Sequence, residues 1–502
     1  LDLGRLTALT GVNSSGKTSM LQCLLLLKQT LSDPNRSAVL KLNGPLVRLG
    51  AFRDIVSRGD TSKCITIGLE LDVKARDLLR SRTMMRWHNT MGSSKGRCRF
   101  AVSFGVGDDG TDVRVSGAEV SLTGFRFSGT SPVRMDDLSV MDVGKRDMWI
   151  RYERHGRRHR VLFNSPHAVS MPMIFEENGK SPESFRNADG LYRLEGIGGR
   201  LYGFVPVSLE VPEVALLREA SSGIARGIGS TFGVALNPFS AVSSALDRCF
   251  DSMSYIGPLR EEPKRFYFRD EGRVLDIGTK GEYAAQILSL EADTEVRNVR
   301  DVNCRYRRRE RLGAAVDYWL RDRMGMASGV SVEPLSTELP IYDVRVSSME
   351  HRSEKASILN VGFGMSQVLP VIVEGLRTQP GNALILEQPE IHLHPKIQAD
   401  LADFLMSLAM DGRQILVETH SDHLMNRIRR RLSEDESDRI RGLLRVYFAE
   451  LTPDGAKFTL MDFDEFGCVQ TWPEGFFDQA DIENEALLKN QLRKMDKRGR
   501  KR

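Results

Sequence analysis

The spacing of apolar residues divides the chain into stretches of two periods. "LTALTGVNSSGKTSMLQCLLLL", from Leu6 to Leu27, has a short apolar run, a Gly/Ser stretch and a longer apolar run, which predicts strand, loop and helix. From Thr61 to Ser170, apolar and polar residues alternate in "CITIGLELDV", "RCRFAVSFGV", "DVRVSGAEVSL", "DMWIRYERHG" and "HRVLFNS". Gly and Asp clusters separate these runs, so they predict an antiparallel meander that extends the first lobe's sheet and adds an outer one. Val211 to Met253 is helical in pattern, with a Gly-rich break from Ser221 to Gly233. "GTKGEYAAQILSL" begins another helix, and about Ala314 to Met324 is a further one. "LNVGFGMSQVLPVIVEGL", Leu359 to Leu376, is a glycine turn entering an apolar helix. The strand "ALILEQPE", a helix from Lys396 to Met410 and the strand "QILVETHSDHL" follow. "KFTLMDFDEFGCVQTWP" reads as a hairpin with its turn near Glu465 to Gly467.

Composition narrows the classes. The 502 residues suffice for two to four domains, and 41% hydrophobic with 27% charged residues is ordinary for a globular protein. A net charge of +4 does not by itself argue for nucleic acid. The six cysteines, Cys23, Cys64, Cys98, Cys249, Cys304 and Cys468, are far apart and form no CxxC pair. That pattern argues against a zinc site or a disulfide framework and fits a reducing compartment. The longest apolar stretch, Met20 to Leu27, is too short to span a membrane and no signal peptide precedes it, so no membrane association and a cytoplasmic location are expected. The first strand lies so close to Leu1 that the sequence is expected to start inside a longer chain. No internal repeat and no long heptad run is present, which excludes a long coiled-coil arm.

Gly11 to Thr18 fits G-x-x-x-x-G-K-[ST] between a strand and a helix. Glycines let backbone N–H groups turn toward phosphates, Lys17 would reach the β- and γ-phosphates, and Thr18 would hold Mg²⁺. Gly11, Asn13, Ser14, Ser15, Gly16, Lys17, Thr18 and Ser19 are therefore the candidate ATP contacts. Gly364 and Ser366 stand at a second helix N-terminus, where free N–H groups attract anions. Ser also favours that place as a simple helix start, so both readings of Ser366 stand.

Phosphate loop, long insertion, glycine–serine turn, acidic strand and a strand ending in His resemble, in that order, the ABC-type ATPases of the RecF, SMC and OLD (overcoming lysogenisation defect) group. "GFGMSQVLP", "EQPEIHLHP", "ETHSDHLMNR", "SYIGPLREEPKRFYF" and "WPEGFFDQADIENE" resemble a bacterial branch found among anti-phage defence and mobile-element genes. The implied fold class is α/β, an ABC-type P-loop ATPase head with β-rich and helical insertions. The expected parts are an N-terminal head lobe (1–72), a β-rich insertion (73–210), a helical insertion or arm (211–330) and a C-terminal head lobe (331–450). A hairpin and helix (451–490) and a basic tail (491–502) complete the chain. The resemblance implies a homodimer, or a higher even oligomer, whose heads close face to face on ATP. Gly364 and Ser366 of one head would then contact the γ-phosphate bound to the other. Glu387 would orient Mg²⁺, where Asp is commoner, and His420 would sense the γ-phosphate. A magnesium-contacting glutamine is expected near "LGAFRDIV" (Leu49 to Val56), which has none; Asp54 is the substitute there.

Gln388 stands where the family's catalytic acid is expected, and a glutamine cannot act as a general base. Either it is native, as the phrase "EQPEIHLHP" favours, or it is a trapping substitution. Glu418 and Glu390 are the acids left to polarise water, with Glu390 alternatively serving the head-to-head turn. The expected role is a slow ATPase that controls a separate effector, a nuclease or toxin, in anti-phage defence; the alternative is a RecF-like DNA-binding ATPase in repair. Arg297 to Arg311 and the tail "RKMDKRGRKR" are either solvated charge or a DNA or RNA backbone surface. His392 and His394 lack a third ligand at metal-site spacing, and His423 reads as a surface residue. Asp462, Asp464 and Glu450 are the only candidates for a Toprim-type nuclease; too little chain follows Tyr447 for that domain, and no nuclease activity is expected.

Overall fold

Two nearly continuous apolar pentads, ALILE and QILVE, lie side by side in the middle of a six-stranded sheet, buried on both faces as central parallel strands are. In this computed structural model the described residues are 1–33, 38–74, 95–106, 112–123, 148–155, 158–164, 192–195, 198–202, 205–210, 238–268, 276–300, 302, 308–336, 339–351, 353–469 and 479–499. The glycine-rich break at Ser221 to Gly233 and residues 303–307 of the arginine run lie outside them. The chain divides into two units, one of Leu1–Leu21 with Ser252–Arg502 and one of Gln22–Asp251.

The sheet of the first unit has the strands β1 (Leu6–Gly11), β2 (Met253–Ile256), β3 (Ala383–Glu387), β4 (Gln414–Glu418), β5 (Leu444–Thr452) and β6 (Gly455–Met461). Their order is β2-β3-β4-β1-β5-β6, with five parallel strands and β6 antiparallel at the edge. Both neighbours of β1 come from the far end of the sequence. The carboxyl ends of β1, β3 and β4 therefore open onto one crevice, the usual ligand position in a parallel sheet. In the register, Glu387 at the end of β3 sits opposite Glu418 at the end of β4.

Helices α1 (Lys17–Leu31), α2 (Phe363–Arg377), α3 (Pro395–Met410) and α4 (Asp422–Glu434) follow β1, the glycine turn, β3 and β4 in turn. Nearly the whole of α2 from Met365 to Leu376 is buried. Trp319, fully buried, packs edge-on against Phe404 of α3, with its indole N–H on Asn298. The expected helix near Ala314–Met324 is α-helical over Leu312–Tyr318 and then widens into a π-helical turn, Trp319–Arg323. That turn brings Arg323 onto Asp403, a carboxylate with 0% exposure that also accepts from Arg427 and Arg431 of α4 at 2.6–2.7 Å.

"KFTLM" belongs to a longer hairpin than expected. It pairs back onto β5 through a turn at Thr452–Gly455, because "TPDG" supplies the turn residues. The tight loop near Glu465–Gly467 also forms. Asp464 accepts the N–H groups of Phe466 and Cys468, and Phe463 bridges Val469.

In the second unit, Ile65–Lys74, Lys95–Val106, Val113–Thr123, Met148–His155, Arg158–Asn164 and Tyr192–Glu195 pair sequentially and antiparallel, as the alternation predicts. Cys98, Phe100, Val102 and Phe104 are buried at the strand period of two. Among the described residues, no helix is long and apolar enough to cross a membrane.

Candidate nucleotide site

The loop after β1 turns because its backbone enters conformations that L side chains resist. Gly11 has φ +130° and Gly16 φ +93°. A Cβ on Gly11 would lie 2.1 Å from the Ala449 carbonyl oxygen, so no larger residue fits there. Lys17 is 3% exposed and begins α1. Its Nζ donates to the carbonyls of Val12 at 2.6 Å and Gly11 at 3.2 Å, and to Ser15 Oγ at 3.4 Å. Burial lowers the Lys17 ammonium from its ordinary value, opposed by the Glu418 charge. Ser15 is buried, whereas Asn13, Ser14 and Ser19 are exposed around the loop.

Glu418, 2% exposed, is the hub of the site. The Thr18 hydroxyl donates to both of its oxygens, at 2.9 and 3.0 Å. Burial pushes the Glu418 carboxyl up, against the Thr18 hydrogen bond and the Lys17 charge. The neighbouring Glu387 accepts from the Tyr255 hydroxyl at 3.0 Å. Burial, offset by that hydrogen bond and reinforced by Glu418, pushes Glu387 up to about 7. Gln388 itself adopts φ +43°, its N–H held by the Glu418 carbonyl at 2.8 Å. Glu390 accepts the His420 N–H at 2.6 Å and is buried beneath the turn. His420 is exposed, and burial of part of its ring together with the Lys17 charge keeps it below its ordinary value.

Gly364 and Ser366 lie in the first turn of α2, at the sequence-expected helix start. A Cβ on Gly364 would come within 3.2 Å of the His392 carbonyl, and the Phe363 ring meets the His392 ring edge-on. This turn therefore packs on the loop that follows Gln388. Ser366 Oγ donates to Phe363 O at 2.8 Å and accepts from Gln367, so its described hydrogen bonds do not reach the phosphate loop. Leu359 and Phe363 beside it are exposed.

Residues 329–425, which carry Gly364, Ser366 and every acid of the site, match the family described as AAA ATPase domain. Residues 444–487 match a family described as a protein of unknown function, DUF3696. No curated protein matches the chain. Among solved structures, an SMC head bound to the C-winged helix domain of ScpA is 9% identical, with 93% of each chain covered and a TM-score of 0.31. The SMC head domain from Thermotoga maritima is 9% identical over 92% of each chain, at 0.31. An Smc head with an extended coiled coil, bound to the C-terminal domain of ScpA derived from Pyrococcus furiosus, is 11% identical over 92% of each chain, at 0.30. Superpositions this loose are likeness only. Residues 329–425 are thus similar to an AAA ATPase domain, and the parallel sheet with its phosphate loop after β1 is an α/β P-loop arrangement.

This domain's site includes two residues that the sequence did not single out, Tyr255 and Arg260. No local signal in "SYIGPLREE" points to them; the sheet order does, by laying β2 along β3. The donors on offer fit a hard cation: the Thr18 hydroxyl and the Glu387 and Glu418 carboxylates, all oxygen, as Mg²⁺ prefers. Among the described residues, no cluster of three or more His, Cys, Asp or Glu could hold a metal by itself, so the nucleotide's own oxygens would have to complete the shell. A cation needs Glu387 ionised, and with its value raised to about 7 it is only partly charged at neutrality. Apparent Mg²⁺ affinity in the presence of ATP is thus expected to climb between about pH 6 and about pH 8 and then level off. Mg²⁺ titrations across that window would show it, and Glu387→Gln should flatten the climb; a flat wild-type profile would count against Glu387 as a ligand.

Asp54 accepts the Ala51 N–H at 2.7 Å and caps its own short helix, Phe52–Ile55. The arginine run forms a two-stranded ribbon in its described part, Glu295–Asn298 with Arg308–Arg311. Arg297 pairs with Asp411, Arg300 with Glu310, Arg309 with Glu295 and Arg311 with Asp293. Those acids neutralise much of the charge that a phosphate backbone would meet. His394 caps α3 by accepting the Lys396 N–H, which accounts for it without a metal.

Proposed function

We propose that this chain binds ATP between two copies of its head and hydrolyses it slowly, and that the closed state controls a separate effector, a nuclease or toxin, in anti-phage defence. The carrying observation is the Thr18 hydroxyl of the phosphate loop on both oxygens of the buried Glu418 carboxylate, with the Gln388 N–H tied to the Glu418 carbonyl. The residue after the acidic strand is an amide and cannot take a proton, whereas Glu418 on the next strand can.

Lys17 and the N–H groups of the loop bind the triphosphate, and Thr18 with Glu387 would hold Mg²⁺. That cation would shield the charge on the phosphate oxygens. Glu418 accepts the proton of the attacking water, helped by burial that makes its carboxylate more basic than an exposed one. Thr18 orients the same carboxylate. His420 faces the γ-phosphate from beside Lys17. A single shared acid in place of a dedicated one suits slow turnover, and slow turnover suits a switch that stays closed long enough to engage a partner. The effector and the defence setting rest on the resemblance of the motifs. The paired arginines give the repair reading no added support.

Phe363 and Leu359 are exposed beside Gly364 and a buried Ser366, and this turn would complete the site of the other copy. Lys17→Ala and Ser366→Arg protomers, each inactive alone, are therefore expected to regain one composite site per dimer when mixed. Steady-state hydrolysis in the mixture should exceed that of either variant; no gain at any ratio would remove the shared site.

A further inference from the structure

We propose that Arg260 is a positioning residue for hydrolysis: its guanidinium grips two consecutive carbonyls, of Glu387 and Gln388, and so holds the turn that ties the end of the acidic strand to Glu418. This inference rests on the reading of Glu418 as the group that polarises water.

Arg260 is 6% exposed. Nη2 donates to Glu387 O at 3.0 Å, and Nη1 donates to Gln388 O at 2.9 Å and to Pro258 O at 3.2 Å. The planar fork of a guanidinium holds its N–H groups in a fixed geometry that suits such paired acceptors. The grip falls where the chain needs one. Gln388 sits at φ +43°, a left-handed conformation that is uncommon outside glycine and must be held by its surroundings. Its N–H is fixed from one side by the Glu418 carbonyl and its C=O from the other by Arg260. With both ends of the residue pinned, the left-handed turn stays tied to the backbone of Glu418, whose carboxylate takes the Thr18 hydroxyl. Arg260 is carried there by β2, which pairs with β3 from Met253↔Ala383 to Ile256↔Leu386, so Gly257 and Pro258 turn the chain back over the end of the acidic strand. A buried guanidinium spent on backbone carbonyls, with carboxylates close by, is costly unless the conformation it fixes matters.

The test is a double-mutant cycle on single-turnover hydrolysis, with ATP affinity measured on every variant. Arg260→Met is expected to keep ATP binding within about threefold and to slow hydrolysis by about 10–100-fold, the range typical of lost outer supporting contacts. Arg260→Lys, which keeps the charge but not the fork, should fall between. Gln388→Ala should slow hydrolysis comparably, and adding Arg260→Met to it should cost less than about threefold more, because both act on one turn. Multiplying losses would place Arg260 outside this chain of contacts and overturn the inference, as would full activity in Arg260→Met. Loss of ATP binding in both Arg260 variants would mean a role in the fold alone, which also overturns it. If Glu418→Gln, run alongside, keeps full activity, the underlying reading fails instead.

Discussion

Glu418→Gln is expected to lower single-turnover ATP hydrolysis in Mg²⁺ by roughly 10²–10⁴-fold, the usual contribution of a general base. The substitution keeps the volume and keeps an acceptor for the Thr18 hydroxyl, so the loop should stay in place. What disappears is the carboxylate that holds the Thr18 hydroxyl and can take a proton. Glu390→Gln is expected to cost less. Its carboxylate is occupied by the His420 N–H, and an amide oxygen can still accept that bond. Nucleotide binding should survive in both variants, so that a trapped, ATP-bound dimer accumulates in Glu418→Gln on size-exclusion chromatography. Equal and full turnover in the two would mean that neither acid is the base.

Lys17→Ala should weaken ATP binding by roughly 10²-fold or more, as expected when an ammonium loses charge-assisted hydrogen bonds to phosphates. Before nucleotide arrives, this ammonium is spent on the carbonyls of Gly11 and Val12 and on Ser15. Its removal leaves those carbonyls to water at an open loop, so the fold should tolerate the change. Head closure should be lost together with affinity. Calorimetric titration with ATP decides it: an unchanged dissociation constant would overturn the assignment of the loop.

Where a local pattern carries the information, the sequence reads well. The five alternating runs of the second unit became five paired strands, since each strand's period of two is written in its own residues. Gly11 to Thr18 became a strand-to-helix turn for the same reason. The widened turn at Trp319–Arg323 was not legible: its geometry answers to the buried Asp403, eighty residues away. Tyr255 and Arg260 escaped notice likewise. They enter the site only because β2 lies beside β3, a pairing across 128 residues between Arg260 and Gln388. The sequence did show that Gln388 cannot be a base and that Glu418 ends a neighbouring strand. The tie of the Gln388 N–H to the Glu418 carbonyl depends on the left-handed backbone at 388, which no residue pattern announces.

Asp403 has one more consequence. Helix α4 begins two residues after His420, and Ser421 at its cap is tied to Gln398 of α3 at 2.6 Å. Further along, the arginines of α4 close on Asp403 of α3, which has no exposure to water. Sliding one helix past the other would strand an anion in the interior, at a cost of several kcal/mol. The two helices are thus yoked, and a tilt imposed at His420 turns them as one stiff beam. Arg323 is bolted to the same carboxylate. The π-helical turn is thereby fastened to both helices through one carboxylate.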